Sequence, residues 1–299
     1  MDKQNQFIRT DLAAECRVES EEGELPGVRF REEKRGASGE VTVARLTVEK
    51  GEGEAVIGKP AGEYVTISFG RLWLLGEERQ AEAAEVIADE LRRMAGKIAP
   101  GAESVLVAGL GNRQLTVDAV GPEVAASVTV TRHLREMEPA LYEALGQKCV
   151  SAVSPGVLGQ TGIESALLLE SAVREAEAGL VIAVDALAAR STDRLCATVQ
   201  LTDAGICPGS GVGNARRAVT QATLGVPVIA LGVPTVADSS TLVYDALEKA
   251  GVAPDEISPD LRTVLENGRG FFVSVKESDI ALRTIAGMLS DALDRALER

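Results

Sequence analysis

The sequence predicts an α/β protein: a mostly parallel central sheet with helices on both faces and an additional small β region at its N-terminal end. Three observations carry this. From residue 104 onward, apolar runs of strand length alternate with segments at helical spacing. The runs are continuously apolar instead of alternating, as in strands covered on both faces. Apolar residues make up 45% of the 299 residues and aromatics only 3%, so the core must be built from Val, Leu, Ile and Ala.

The elements run in chain order. Residues 1 to 38 are polar, acidic and irregular, and "ESEEGELPG" reads as a surface segment. "EVTVARLTVEK" (40–50) and "EYVTISFG" (63–70) alternate β-branched and polar residues, as half-buried strands do. Residues 77–97 form a long helix with Val86, Ile87, Leu91 and Met94 on one face. A buried strand from Ser104 to Ala108 breaks at Gly109 and Gly111. A helix is predicted over 121–137, with Pro122 in its first turn, where a missing N–H does no harm. "SPGVLGQTG" is a Gly-rich loop, and 164–179 is a helix stopped by Gly179. Strands then fall in "AGLVIAVDALAAR" (178–190), at 196–203 and at 226–238, with the Gly-rich "AGICPGSGVGN" between the last two. A strand and a helix close the chain over 270–297. Neither an internal repeat nor a linker after residue 40 divides it, so one domain is expected.

A formal charge of −14 and a pI near 4.7 disfavour direct binding to nucleic acid or an anionic membrane surface, while a basic protein partner is compatible. No run reaches the ~18 apolar residues of a membrane span. The first residues lack the apolar core of a signal peptide, and Cys16, Cys149, Cys196 and Cys207 show no disulfide or zinc spacing. These features predict a cytoplasmic chain with reduced thiols.

Ligands of open α/β sheets collect at the carboxyl ends of the strands. Asp118, Asp185, Asp203 and Asp238 each come after an apolar run there. Asp203 and Asp238 read as loop or helix-capping residues. Asp118 and Asp185 differ, because each sits among Gly, Ala and Val with no adjacent Lys or Arg. Two uncompensated carboxylates brought together cannot both ionise easily, so one becomes an acid and the other a base. Such a pair suffices for water-mediated amide hydrolysis without metal or cofactor. The one histidine, His133, lies in a helical pattern beside Arg132 and Arg135, and no G-x-S-x-G elbow accompanies it. Zinc sites needing two His are excluded by count, whereas a carboxylate-rich Ca²⁺ or Mg²⁺ site stays open. "GLGNRQ" fails as a dinucleotide fingerprint because Gln114 takes the third glycine position. The glycines of "GSGVGN" (209–214) equally suit a loop that a peptide backbone approaches closely.

The strings "GLGN…TVDAVGP…VTRHL", "SPGVLGQTGIE", "VIAVDALAAR", "GICPGSGVGN" and "LGVPVIALGVPTVAD" together resemble the germination protease family of endospore-forming bacteria, from about residue 104 to about 240. The resemblance implies an atypical aspartic endopeptidase with a fold similar to the hydrogenase-maturation endopeptidases. It implies cleavage of small acid-soluble spore proteins early in germination, in the forespore or spore core. The family's two essential aspartates fall on Asp118 and Asp185. The glycine loops then shape a peptide cleft through Gly109, Gly111, Asn112, Gly156, Gly159, Gly209, Gly211 and Gly213. The resemblance further implies a homotetrameric zymogen activated by loss of a short propeptide. Thr10-Asp11-Leu12-Ala13-Ala14-Glu15 mimics the family's substrates, so a propeptide of residues 1–11, cut between Asp11 and Leu12 ahead of a 12–299 protease domain, is expected. Cys207 stands where the family pattern has His, and Val117 where it has Pro. The alternatives are a metal-dependent maturation-type peptidase on the same fold and an inactive peptide-binding paralogue.

Overall fold

A computed structural model of the chain describes residues 9–16, 25–209, 216–253, 256–267 and 271–299. Its strands are β1 (Val28–Arg35), β2 (Val41–Val48), β3 (Gly62–Ser68), β4 (Ser104–Gly109), β5 (Cys149–Val153), β6 (Leu180–Ala188), β7 (Thr198–Thr202), β8 (Val228–Asp238) and β9 (Phe272–Val273). Its α-helices are α1 (Glu52–Ile57), α2 (Glu77–Ile98), α3 (Val120–Ser127), α4 (Arg132–Met137), α5 (Pro139–Leu145), α6 (Leu158–Thr161), α7 (Ser165–Ala176), α8 (Gln221–Leu224), α9 (Ser239–Lys249), α10 (Pro259–Asn267) and α11 (Ser278–Ala296).

The strands form one mixed sheet in the order β1-β2-β3-β7-β8-β6-β4-β5, with β9 added against the end of β8. Parallel pairing joins β5, β4, β6 and β8. The pairs β1–β2, β2–β3, β3–β7, β7–β8 and β8–β9 run antiparallel. The parallel run is therefore the half built of βα units, and the N-terminal hairpin strands continue it through β7. Helices cover both faces. Leu91 and Met94 of α2, Val120 of α3 and Leu289 of α11 pack on one side of Val107, Ile182 and Leu231. Leu169 and Val173 of α7 cover Leu106, Val181 and Ala183 on the other.

Among the differences from the sequence expectation, three stand out. The irregular N-terminal stretch contains β1, paired with β2 along its whole length from Val28↔Val48 to Arg35↔Val41. Its exposed "REEKR" hides the strand pattern and suits a sheet edge, where charge discourages pairing with another chain. The helix expected over 121–137 is two, α3 and α4. Between them Val128 is extended (φ −63, ψ 145), and the β-branched run after it bonds sideways. The Thr131 amide donates to the Val150 carbonyl (3.0 Å), and its hydroxyl accepts from the Val150 amide (2.9 Å). Finally, β6 does not end at Asp185. It continues three residues further, to Ala188.

Candidate active site

The chain leaves β4, forms β5 on one side of it, then crosses to β6 on the other side. The carboxyl ends of β4 and β6 thus flank a topological switch point, where a crevice opens. Two glycines let α3 press into its base. A Cβ on Gly109 would lie 2.2 Å from the Gly121 carbonyl oxygen, and one on Gly121 would lie 2.2 Å from that of Leu110 and 2.4 Å from that of Val184. The close approach brings the Thr116–Asp118 turn, which leads into α3, over the end of β6. Thr235 of β8 fixes this turn by donating its hydroxyl to the Val117 carbonyl (2.6 Å).

Asp118 is partly buried and accepts the Asn112 amide at 2.7 Å. Gly111 makes that bond attainable: its φ is +112, and a Cβ there would lie 2.2 Å from the Asp118 carbonyl oxygen. Asp185 is the sixth of nine residues in β6, in register with Gly232 of β8, and only 5% exposed. It accepts the amide of Ala186 at 2.9 Å. Among the described residues neither carboxylate has a cationic partner within ion-pair distance. Burial pushes the Asp185 carboxyl well above the usual range, and the neighbouring Asp118 charge pushes it further against the opposing Ala186 N–H. Burial also raises Asp118, opposed by the Asn112 N–H, which favours the ionised form. Both carboxylates are therefore biased toward the protonated form, Asp185 the more strongly.

Both aspartates line a cleft of about 480 Å³ together with Gly111, Asn112, Gly159 and Gly209. Gly109 and Gly156 are not part of its lining. Gly109 is a packing residue beneath α3, and the Gly156 carbonyl accepts the Ser165 hydroxyl (2.8 Å). Gly211 and Gly213 lie outside the described residues. Asn112 ties two of the glycine loops together, since its Oδ1 accepts from Gln160 Nε2 at 2.7 Å. Asp238 caps α9 as expected, accepting the Thr241 amide at 2.9 Å. Asp203 instead accepts the Glu63 amide (2.7 Å) and sits 3.5 Å from Lys97 Nζ. His133 is exposed on α4 and lines neither this cleft nor its neighbour. Among the described residues no cluster of three His, Cys, Asp or Glu is placed to hold a metal ion.

The N-terminal segment occupies the edge of the cleft. Asp11 pairs with Ala188 like an added strand: its amide donates to the Ala188 carbonyl (2.9 Å), and its carboxylate accepts the Ala188 amide (2.9 Å). Leu12 is fully buried among Leu187, Ala189, Leu195 and Ala237. Gln200 of β7 spans the Asp11–Leu12 bond. Its Nε2 donates to the Asp11 carbonyl at 3.3 Å, and its Oε1 accepts the Ala13 amide at 2.7 Å. Lys59 Nζ donates to the Thr10 carbonyl at 2.8 Å. Asp11 and Leu187 also wall a second cavity of about 290 Å³, so the segment runs between the two. The sequence reading missed Gln200, Lys59, Gln160 and Thr235. Of these, only Gln200 carried a signal, as a lone amide inside the buried "ATVQLT" run.

Comparison with known proteins shows the family. Residues 7–250 match the family model described as germination protease. The chain is 38% identical to the germination protease of Caldanaerobacter subterraneus subsp. tengcongensis, over 97% of this chain and 94% of that protein. It is 42% identical to that of Oceanobacillus iheyensis over 81% of this chain and 67% of the relative. To that of Clostridium acetobutylicum it is 37% identical, over 97% of this chain and 95% of the relative.

Proposed function

The chain belongs to the germination protease family, hydrolases of peptide bonds, and on that premise we propose that it is an aspartate-dependent endopeptidase that processes its own N-terminus. The observation that carries this is the seating of the Asp11–Leu12 bond at the edge of a cleft that Asp118 and Asp185 line, both with carboxyls raised by burial.

In this reading Asp185, the more deeply buried of the two, holds the shared proton, and Asp118 is the ionised base. Asp118 takes a proton from a water molecule as the water oxygen bonds to the carbonyl carbon of the scissile residue. Asp185 gives its proton to the carbonyl oxygen, which Gln200 Nε2 also approaches. On collapse, the proton on Asp118 passes to the leaving nitrogen, the C–N bond breaks, and one hydroxyl proton of the tetrahedral carbon returns to Asp185. The products are a new carboxyl group at residue 11 and a new amine at Leu12, and the dyad is restored. After processing, small acid-soluble spore proteins are the substrates in trans, within the spore, and the enzyme is a homotetramer; family membership supports both assignments.

The test is a peptide spanning residues 7–15, incubated with the full chain, with its Asp118→Asn variant and with chelator-treated wild type. We expect cleavage between Asp11 and Leu12 by the wild type, unchanged by exhaustive chelation, and none by the near-isosteric variant. Cleavage by Asp118→Asn at a wild-type rate overturns the dyad, and loss of activity on chelation replaces it with a metal-dependent mechanism.

A further inference from the structure

The turn that carries Asp118 has no packing of its own. None of Thr116, Val117 and Asp118 is buried, and residues 113–115 before them are exposed. Hydrogen bonds must therefore hold the turn, and two of them meet on one peptide group. At its nitrogen end the Asp118 amide donates to the Leu115 carbonyl at 2.8 Å. At its carbonyl end Val117 accepts the Thr235 hydroxyl at 2.6 Å. The first bond is local and moves with the turn, whereas the second ties the turn to the sheet. A peptide group is planar, so pinning both ends fixes its plane and the Cα of Asp118 with it. The Asn112 amide then sets the carboxylate from that Cα.

Thr235 is held as an anchor needs to be. β6 and β8 pair one to one as far as Leu187 and Pro234, and then Ala188 pairs with Val236. Thr235 is the extra residue, a bulge in β8. It follows Pro234, which has no amide to give a ladder. The carbonyls about the bulge are taken by other donors. The Cys196 amide bonds that of Pro234 at 2.7 Å, the Ser274 hydroxyl that of Thr235 at 2.7 Å, and the Ala189 amide that of Val236 at 2.9 Å. Thr235 itself is fully buried at the wall of the cleft. Three residues earlier on the same strand, Gly232 is in register with Asp185. One strand thus serves as the reference for both aspartates.

We propose that Thr235 is a positioning residue for the reaction: through the Val117 carbonyl it sets where Asp118 stands relative to Asp185, and with that the rate of the chemical step. Ser274 supports it by holding the Thr235 carbonyl. The inference rests on the proposed roles of the two aspartates and adds a residue that acts only through one of them.

The test is the rate at which the full chain loses residues 1–11, followed by N-terminal mass, in the wild type, Thr235→Val and Thr235→Ser. The segment is already seated, so the rate reports the chemical step instead of peptide binding. Valine keeps the shape without the donor, and serine keeps the donor. Valine should slow the cut about tenfold to a hundredfold, the effect of a slightly misplaced catalytic group, and serine should stay within about threefold of the wild type. Both should melt within about 5 °C of the wild type, since only one hydrogen bond is at stake. A valine variant that cuts at the wild-type rate overturns the assignment. So does a serine variant slowed as much as valine, which marks a packing role. If Thr235→Val does not fold, Ser274→Ala decides: a cut slowed by about threefold or more upholds the assignment, and a smaller change overturns it. A wild type that never cuts itself defeats the processing reading, and this assignment with it, whereas a wild type no faster than Thr235→Val defeats this assignment alone.

Discussion

At the scale of residues, the two aspartates show what environment does to one functional group. Asp118 keeps an N–H donor and partial solvent, whereas Asp185 is enclosed by the sheet and faces the charge of Asp118. Their lack of a cationic partner was legible, because neither stretch offers a neighbouring Lys or Arg. The depth of Asp185 was not. "VIAVDALAA" reads equally well as a strand ending at the aspartate, and only pairing with β8 through Ala188 shows that the strand runs on. The burial has a stability consequence. The folded pKa of Asp185 lies above its unfolded value of about 3.9. Its contribution to stability is therefore complete below that value and is lost as pH rises through the folded pKa. Asparagine carries no such loss and keeps the bond from Ala186. Asp185→Asn should accordingly gain thermal stability over the wild type as pH rises above about 4, the gap growing until the folded pKa is passed. Tm measured against pH checks this, and a gap that stays constant or narrows with pH contradicts it.

At the scale of elements, apolar periodicity located β4, β6, β8, α2 and α11, whose runs are long and unbroken. It did not separate α3 from α4, because helical spacing persists across Val128–Thr131 while the Thr131 amide and hydroxyl bond to the edge of β5. Nor did it find β5, α5, α9 and α10, which are short or amphipathic against neighbours that only the fold supplies. The glycines divide in the same way. Gly111 is needed for backbone conformation beside Asp118, but Gly109 is needed for space beneath α3, and sequence makes them look alike. A methyl group at residue 109 must push α3 and the Asp118 turn away from β6. Gly109→Ala should therefore destabilise by roughly 1–3 kcal/mol, a typical overpacking penalty. It should also lower kcat, since the turn bearing Asp118 moves with the helix. Denaturant unfolding beside peptide turnover measures both, and a variant as stable and active as wild type removes the packing argument.

At the scale of the whole molecule, the mixed sheet joins two roles. Its parallel half carries Asp185 and opens the crevice at the β4–β6 switch point. Its antiparallel half contributes Gln200 on β7, one strand beyond β8, and so helps hold the N-terminal segment across the cleft. The sheet is continuous from β1 to β5, so the N-terminal strands extend the same layer. Family membership was readable from scattered Gly- and Asp-bearing strings because these mark the crevice. The long-range docking of residues 10–15 on Lys59, Ala188, Arg194 and Gln200 was not, since its partners are spread along the chain and none forms a motif. The central claim is that the dyad cuts the bond seated beside it. The most direct measurement is the N-terminal mass of the full-length wild type and its Asp185→Asn variant after identical incubation. The account predicts a wild-type chain beginning at Leu12 and a variant that keeps residues 1–11. A variant that also begins at Leu12 would contradict it.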